Sequence, residues 1–325
     1  MNRPTISVLI PTYNYARYLP EAIESVLAQD FKDYEILIAD DASTDRSTEV
    51  IARYAARDSR IRTQVHRANV GMVNNWNWCL GAARGEYIKF LFGDDKLAGP
   101  GALTRLLDLL SGNPSAVLSA SARVIIDEHS KVLQVTDFLS AGLHRGREII
   151  ARSIAHYGNI VGEPSVVMFR QRDFERGFDP GYRQFVDVEM LLHLLEKGDL
   201  AYTSEPLVCF RKHGEQQTQV IRSAGALGRR EAARLFWDYY NKEYILEGAH
   251  RPLLYKQLRE LRRTLADCPD LSPLEQEMRR RLGPLRLGML ALRYGLNRPF
   301  ENLRRSVQKR LGRVAYERGR AGGRG

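Results

Sequence analysis

The chain holds two acidic pairs, Asp40-Asp41 and Asp94-Asp95, each placed just after an apolar run: Tyr34 to Ala39 (YEILIA) and Tyr87 to Phe92 (YIKFLF). Carboxylate oxygens are ligands that Mg²⁺ and Mn²⁺ favour, and a protein supplies only one or two of them when phosphate and water complete the shell. Asp-Asp also occurs in ordinary turns, where short side chains bond their own backbone. Two carboxylate pairs near one site need a reason. Asp187 and Glu189 add carboxylates at the head of an apolar segment, FVDVEMLLHLL, and His213 sits in the polar run Arg211-Lys212-His213-Gly214-Glu215. A lone histidine is ordinarily a structural or surface residue, so its weight depends on what the fold brings to it.

The elements around these residues follow from hydrophobic periodicity. Ser7 to Ile10 is apolar and rich in β-branched residues and stops at Pro11 and Tyr13-Asn14, as a buried parallel strand does. Leu19, Ala22, Ile23, Val26 and Leu27 recur at helical spacing behind Pro20 and Glu21. Tyr34 to Ala39 predicts a second strand, and the polar DDASTD loop leads into a helix over 46–57, with Asp41 or, better, Ser43 suited to cap it. A strand over 61–65, a turn at Asn69-Val70-Gly71, a helix over 73–83 and a strand over 87–92 continue the alternation. The fold class is therefore α/β, a Rossmann-like, mostly parallel sheet flanked by helices. Ligands in such sheets collect at the carboxyl ends of the strands, which would put both acidic pairs on one crevice. A helix over 102–110, a strand over 116–122, an antiparallel stretch around 124–135 and a helix over 187–196 follow, and Pro164 to Arg170 reads as irregular.

Composition narrows the field. With 44% hydrophobic and 27% charged residues among 325, the chain is globular rather than disordered. Cys79, Cys209 and Cys268 lie far apart in no metal-ligand spacing, so no disulfide framework or zinc site is expected, and a reducing cytoplasm fits. The apolar run before Pro11 is too short for a signal peptide, and nothing reaches the ~18 uninterrupted apolar residues of a spanning helix.

Taken in order, SVLIPTYN, DDASTD and FGDD, with Asn69-Val70-Gly71, Asn77 and Gly85-Glu86-Tyr87-Ile88 between them, resemble the family 2 glycosyltransferases of the GT-A fold, from Ile6 to about Thr218. The resemblance implies an inverting transfer of a hexosyl or N-acetylhexosaminyl group. The donor would be a nucleoside-diphosphate sugar, UDP-linked by preference, and the acceptor a hydroxyl in bacterial-type surface glycan or polysaccharide synthesis. It implies that Pro11, Thr12, Tyr13 and Asp41 line the nucleotide base, that Asn69 and Asn77 belong to the donor site, and that Asp94 contacts the ribose or donor sugar. A carboxylate such as Asp41 pairs well with the N–H edge of uracil. Asp95 would hold Mn²⁺ or Mg²⁺, which neutralises charge on the leaving diphosphate. His213 would fold over the pyrophosphate, as a metal ligand or a donor to phosphate oxygen.

An inverting displacement also needs a general base on the acceptor side. The resemblance places it at Asp187, where the family carries a Glu-Asp pair; here the first member is Val186. Glu189 is the competing base, and a capping role for Asp187 is the plain alternative. Gly162-Glu163-Pro164-Ser165 falls at the acceptor side without a role. Trp76, Trp78, Tyr157 and Tyr182 offer rings for a sugar face, or simply core packing.

The chain divides into a catalytic domain over 1–218 and a basic helical region over 219–325. Residues 1–215 carry 25 Lys+Arg against 28 Asp+Glu, whereas residues 216–325 carry 24 against 11. Leu282, Leu285, Met289, Leu292 and Leu296, then Phe300, Leu303, Val307, Leu311 and Val314, mark two amphipathic helices with arginine-rich flanks. Such helices suit the inner face of an anionic membrane, where a lipid-linked or glycan acceptor would be met, and equally suit packing on the catalytic domain or a second subunit. No nucleic-acid-binding module accompanies the charge. A sugar nucleotidyltransferase or an oxidoreductase would need a glycine-rich loop after strand one, and PTYNYARYL is not one. A silent membrane-surface binding protein that keeps the fold is the rival from outside the enzymes.

Overall fold

The computed structural model describes residues 3–156, 158–214 and 216, together with positions 228, 231, 232, 234, 235, 238, 239, 242, 244, 245, 276 and 280. Tyr157 and the amphipathic segments over 282–314 lie outside the described residues. Among the described residues no helix is long and apolar enough to cross a membrane.

Among the described residues ten strands form one sheet: β1 (Ile6–Thr12), β2 (Tyr34–Asp40), β3 (Ile61–Val65), β4 (Tyr87–Phe90), β5 (Lys96–Leu97), β6 (Ala116–Ile126), β7 (Val132–Thr136), β8 (Gly142–His144), β9 (Val167–Arg170) and β10 (Asp199–Arg211). The order is β3-β2-β1-β4-β9-β6-β10-β5, with β7 against β6 and β8 against β10. β1, β2, β3 and β4 are mutually parallel, and every residue of β1, β2 and β4 is buried, which is why their sequences run apolar without alternation. β9, from the stretch that reads as irregular, inserts antiparallel between β4 and β6. That insertion returns β6, and with it β10, to the direction of β4. The carboxyl ends of β1, β2, β4, β6 and β10 therefore share one edge of the sheet.

The helices are α1 (Leu19–Leu27), α2 (Ser47–Ala55), α3 (Met72–Ala82), α4 (Ala102–Ser111), α5 (Gly146–His156) and α6 (Val186–Leu195). α1 buries Leu19, Ala22, Ile23 and Val26, the stripe its spacing predicts. Each such aliphatic side chain, fully enclosed, contributes about 1.5–3 kcal/mol of transfer free energy, so the stripe is what holds α1 to the sheet. Ser43 does not cap α2. Its hydroxyl donates to Asp40 Oδ2 at 2.6 Å and accepts from the Asn14 backbone N–H at 2.8 Å, so it braces the loop after β1 against the loop after β2. The first amide of α2, Ser47 N, instead donates to Asp45 Oδ1 at 2.8 Å.

Candidate active site

The shared edge begins with the ends of β1 and β2. Thr12 pairs with Asp40 in register, and Asp41 N donates to Thr12 O at 3.0 Å, so Pro11, Thr12, Tyr13 and Asp41 are brought together by the ladder itself. Both loops leave their strands with strained backbone: Asn14 has φ 57° and Ala42 φ 58°, a region non-glycine residues seldom occupy and that clusters at binding sites. The Asp41 carboxylate is buried and accepts two backbone N–H groups, from Val70 at 2.7 Å and from Gly71 at 3.0 Å. Asn69 Nδ2 donates to Asp41 O at 3.2 Å. Gly71 takes φ 87°, which a side chain would oppose, and it is the residue from which α3 starts. Asp41 thus fixes the Asn69-Val70-Gly71 turn, and each of its oxygens retains a lone pair for a further donor.

The second acidic pair follows β4. Gly93 approaches β1 so closely that a Cβ there would lie 2.8 Å from Thr12 Oγ1, so the Asp94-Asp95 turn is pressed onto the strand that carries Pro11 and Thr12. Both aspartates are buried. Asp94 Oδ2 lies 3.1 Å from His213 Nε2, and the His213 ring packs against Tyr15 and Tyr18 with its Nδ1 enclosed and without a hydrogen-bond partner among the described residues. Asp95 Oδ1 accepts the Arg211 backbone N–H at 2.9 Å, whereas Oδ2 is fully enclosed with no hydrogen bond of good geometry among the described residues. Burial, followed by the neighbouring Asp94 charge, pushes the Asp95 carboxyl well above the usual carboxylate range; the nearby Ser165 hydroxyl and the Arg211 amide act in the opposite direction. Beneath it, fully buried Lys89 donates through Nζ to Phe90 O at 2.7 Å and to Ser165 O. Burial lowers this ammonium to about 7, with Asp95 opposing the fall.

Arg211, at the end of β10, ties this pair in place. It is fully buried, donates through Nε to Asp94 O at 2.8 Å and through Nη1 to Ser130 Oγ at 3.0 Å, and sits 4.7 Å over the Tyr18 ring. Its Nη2 lies 3.3 Å from Glu21 Oε2, which also accepts from Lys96 at 2.6 Å and Ser130 at 2.5 Å. Partial burial alone would raise Glu21, yet the bonds from Lys96 and Ser130 with the Arg211 charge take it down to about 2.

Asp187 stands in the first turn of α6, half-buried, with Asn159 Nδ2 at 3.4 Å from Oδ2. Burial raises it to about 6, with the Glu163 charge adding to the rise and the Val188 amide and Asn159 opposing it. The Glu163 charge raises Asp95 as well as Asp187. Glu163 itself is ion-paired with Arg123 at 3.0 Å. Glu189, the competing base, is engaged by Arg176 Nη2 and turned away from solvent.

Among the described residues the Asn77 side chain bonds the loop ahead of α6 rather than either acidic pair. Its amide makes a reciprocal bond with the Phe178 backbone, donating to Phe178 O at 2.9 Å and accepting Phe178 N at 2.7 Å. Trp76 stacks on Phe92 at 4.7 Å within a cluster that includes Phe90 and Phe178, Trp78 meets His66 edge-on, and Tyr182 is buried with its hydroxyl 3.2 Å from Asp238. These rings belong to packing. Among the described residues no group of three or more His, Cys, Asp and Glu side chains is arranged to hold a metal by itself. A site completed by phosphate oxygens needs no such group.

Residues 7–178 match the family described as Glycosyl transferase family 2. A glycosyltransferase of Nostoc sp., itself uncharacterized, is 33% identical over 246 residues, covering 74% of each chain. The chain belongs to glycosyl transferase family 2. Its fold is shared with S. aureus TarS solved with UDP-GlcNAc, at TM-score 0.58 and 17% identity over 79% of this chain and 72% of that one. It is shared too with a mannosyltransferase of Pyrobaculum calidifontis solved with GDP-Man and Mn²⁺, at TM-score 0.53 and 16% identity over 93% and 88%. Family membership sets aside the nucleotidyltransferase and oxidoreductase readings.

Several residues of this family 2 site carry no sequence signal of their own. Lys89 lies inside β4, where only its charge in an otherwise buried run marks it; Arg211, at the end of β10, is visible only as the start of the basic run that leads to His213. Glu163, Ser165 and Asn159 come from the segment without periodicity, where the GEPS tetrapeptide was the one visible cue.

Proposed function

We propose that this family 2 enzyme moves a sugar from a UDP-linked donor to an acceptor hydroxyl with inversion at the anomeric carbon. Pro11, Thr12, Tyr13, Asp41 and Asn69 take the nucleoside, Asp41 through the acceptor capacity left on its carboxylate. Asp94 faces the ribose or donor sugar. Asp95 would hold a divalent cation through Oδ2, with His213 beside it; an enclosed carboxylate oxygen with no hydrogen bond, next to a second carboxylate, fits such an ion. When bound, Mn²⁺ or Mg²⁺ supplies positive charge against the diphosphate that departs.

Asp187 acts from the other side. Its carboxylate takes the proton from the acceptor hydroxyl as that oxygen bonds to the anomeric carbon and the carbon–phosphate oxygen bond breaks. A base held at about 6 is ionised at neutral pH and still basic enough to accept. The observation that carries the reading is that the buried acidic turn at 94–95 is pressed through Gly93 onto Thr12, the residue whose carbonyl accepts the Asp41 N–H at 3.0 Å, so both acidic pairs stand at one strand edge. The UDP-GlcNAc and UDP complexes of the structural neighbour support the choice of uracil nucleotide. The test is release of UDP from a panel of UDP-sugars with Mn²⁺ and an oligosaccharide acceptor, with the anomeric proton coupling of the product read by NMR. Release only from GDP- or dTDP-sugars, or a product that retains configuration, would refute it.

A further inference from the structure

α6 begins without a side-chain cap of its own: Phe185 is the N-cap residue and makes no such bond. The residues that lead into it are held instead by a single side chain from far along the sequence. Glu231 is buried, and its carboxylate accepts the backbone N–H groups of Arg183 at 2.9 Å, Gln184 at 2.7 Å and Phe185 at 3.0 Å. Three charge-assisted bonds to successive amides fix both the position and the direction of the chain entering α6. Asp187 is two residues beyond the last of them.

Neighbouring contacts serve the same end. Arg234 pairs with Asp179 at 3.3 Å and lies 4.6 Å over the Tyr182 ring. Tyr182 in turn bonds Asp238, and Lys242 and Tyr244 engage Glu196 at the other end of α6. Ala232, Leu235 and Tyr239 are buried against the same core. Among the described residues these contacts fall on α6 and the loop ahead of it, whereas Pro11, Thr12, Asp41 and Asp95 are held by β1, β2, β4 and β10.

We propose that Glu231 is a positioning residue for acceptor deprotonation: it sets the start of α6 so that the Asp187 carboxylate stands at the cleft. This rests on the reading of Asp187 as the base. The catalytic unit therefore extends past residue 218 into the segment that the charge distribution assigns to a separate region.

Steady-state kinetics of Glu231→Ala and Glu231→Gln in the full chain, beside Asp187→Asn, test it. Misplacing a reacting group costs on the order of 10- to 100-fold in turnover. Glu231→Ala should lose about that in kcat with the donor KM within about twofold of wild type, and Glu231→Gln, which keeps one acceptor oxygen, should fall between. The thermal shift produced by UDP should persist in both, showing that the donor half is intact. Should Glu231→Ala fail to fold, Glu231→Gln carries the test by the same split. Unchanged kcat, or kcat and donor affinity falling together, overturns the proposal. If Asp187→Asn transfers sugar normally, the base assignment fails and this inference with it. If Asp187→Asn is inactive while the Glu231 variants are normal, only the positioning role is lost.

Discussion

Arg211 holds Asp95 and Asp94 with two different parts of one residue: its backbone N–H donates to Asp95 Oδ1 at 2.9 Å, and its Nε donates to the Asp94 carbonyl at 2.8 Å. The end of β10 thus clamps the acidic turn that follows β4, across more than a hundred positions of sequence. Because the guanidinium is wholly out of water, its hydrogen bonds and the Glu21 contact compensate a large desolvation cost.

Removing that guanidinium should be felt in stability and in the site together. Arg211→Met keeps apolar bulk but leaves the Asp94 carbonyl and Ser130 without their donor. A loss of about 3 kcal/mol is expected, read from the midpoint of urea unfolding, with weaker donor binding in parallel. A variant as stable as wild type would show that the clamp contributes nothing.

The proposed base, Asp187, sets an expected pH dependence. Its folded value, about 6, lies above the unfolded 3.8, so the ionised base accumulates as pH rises through 6, and kcat/KM should climb through that window and then level. The linkage has the opposite sign: this group's contribution to stability is fully present below 3.8 and is lost as pH rises through 6. Asp187→Asn should therefore lower kcat by about 10²–10⁴ and remove the acidic limb. At pH 8 it should leave Tm equal to or above that of wild type. A flat wild-type profile from pH 5 to 7 would contradict the assignment.

Asn77 separates packing from binding. Its reciprocal pair with Phe178 joins α3 to the loop that precedes α6. Asn77→Ala should cost about 2 kcal/mol of stability, from two neutral hydrogen bonds, and leave the donor KM unchanged. A raised donor KM at unaltered stability would return Asn77 to the donor site.

The parallel half of the fold was legible because its strands are buried on both faces and its helices carry clean apolar stripes. Ile61–Val65 is found as read, and Met72–Ala82 and Val186–Leu195 lie within one residue of the expected helices. β9 was not legible: Val167–Arg170 is short, follows a proline turn, and gains its strand identity only by slotting between β4 and β6. The same holds for side chains. Asp41, Asp94 and Asp95 announce themselves by standing after apolar runs, whereas the Asp41 bonds to Val70 and Gly71 depend on a turn 29 residues away. Ser43 looks like a helix cap and is instead a brace between two loops, since Asp45 already serves the α2 amide.

In the proposed mechanism Asp95 recruits a divalent cation into the cleft where Asp41 receives the nucleotide. Calorimetric titration of UDP with and without Mn²⁺, on wild type and on the isosteric Asp95→Asn, tests it most directly. Wild type should bind UDP at least about tenfold more tightly with Mn²⁺, a gain near 1.4 kcal/mol, and Asp95→Asn should bind UDP equally with and without the ion. A Mn²⁺ effect that survives intact in Asp95→Asn would contradict it.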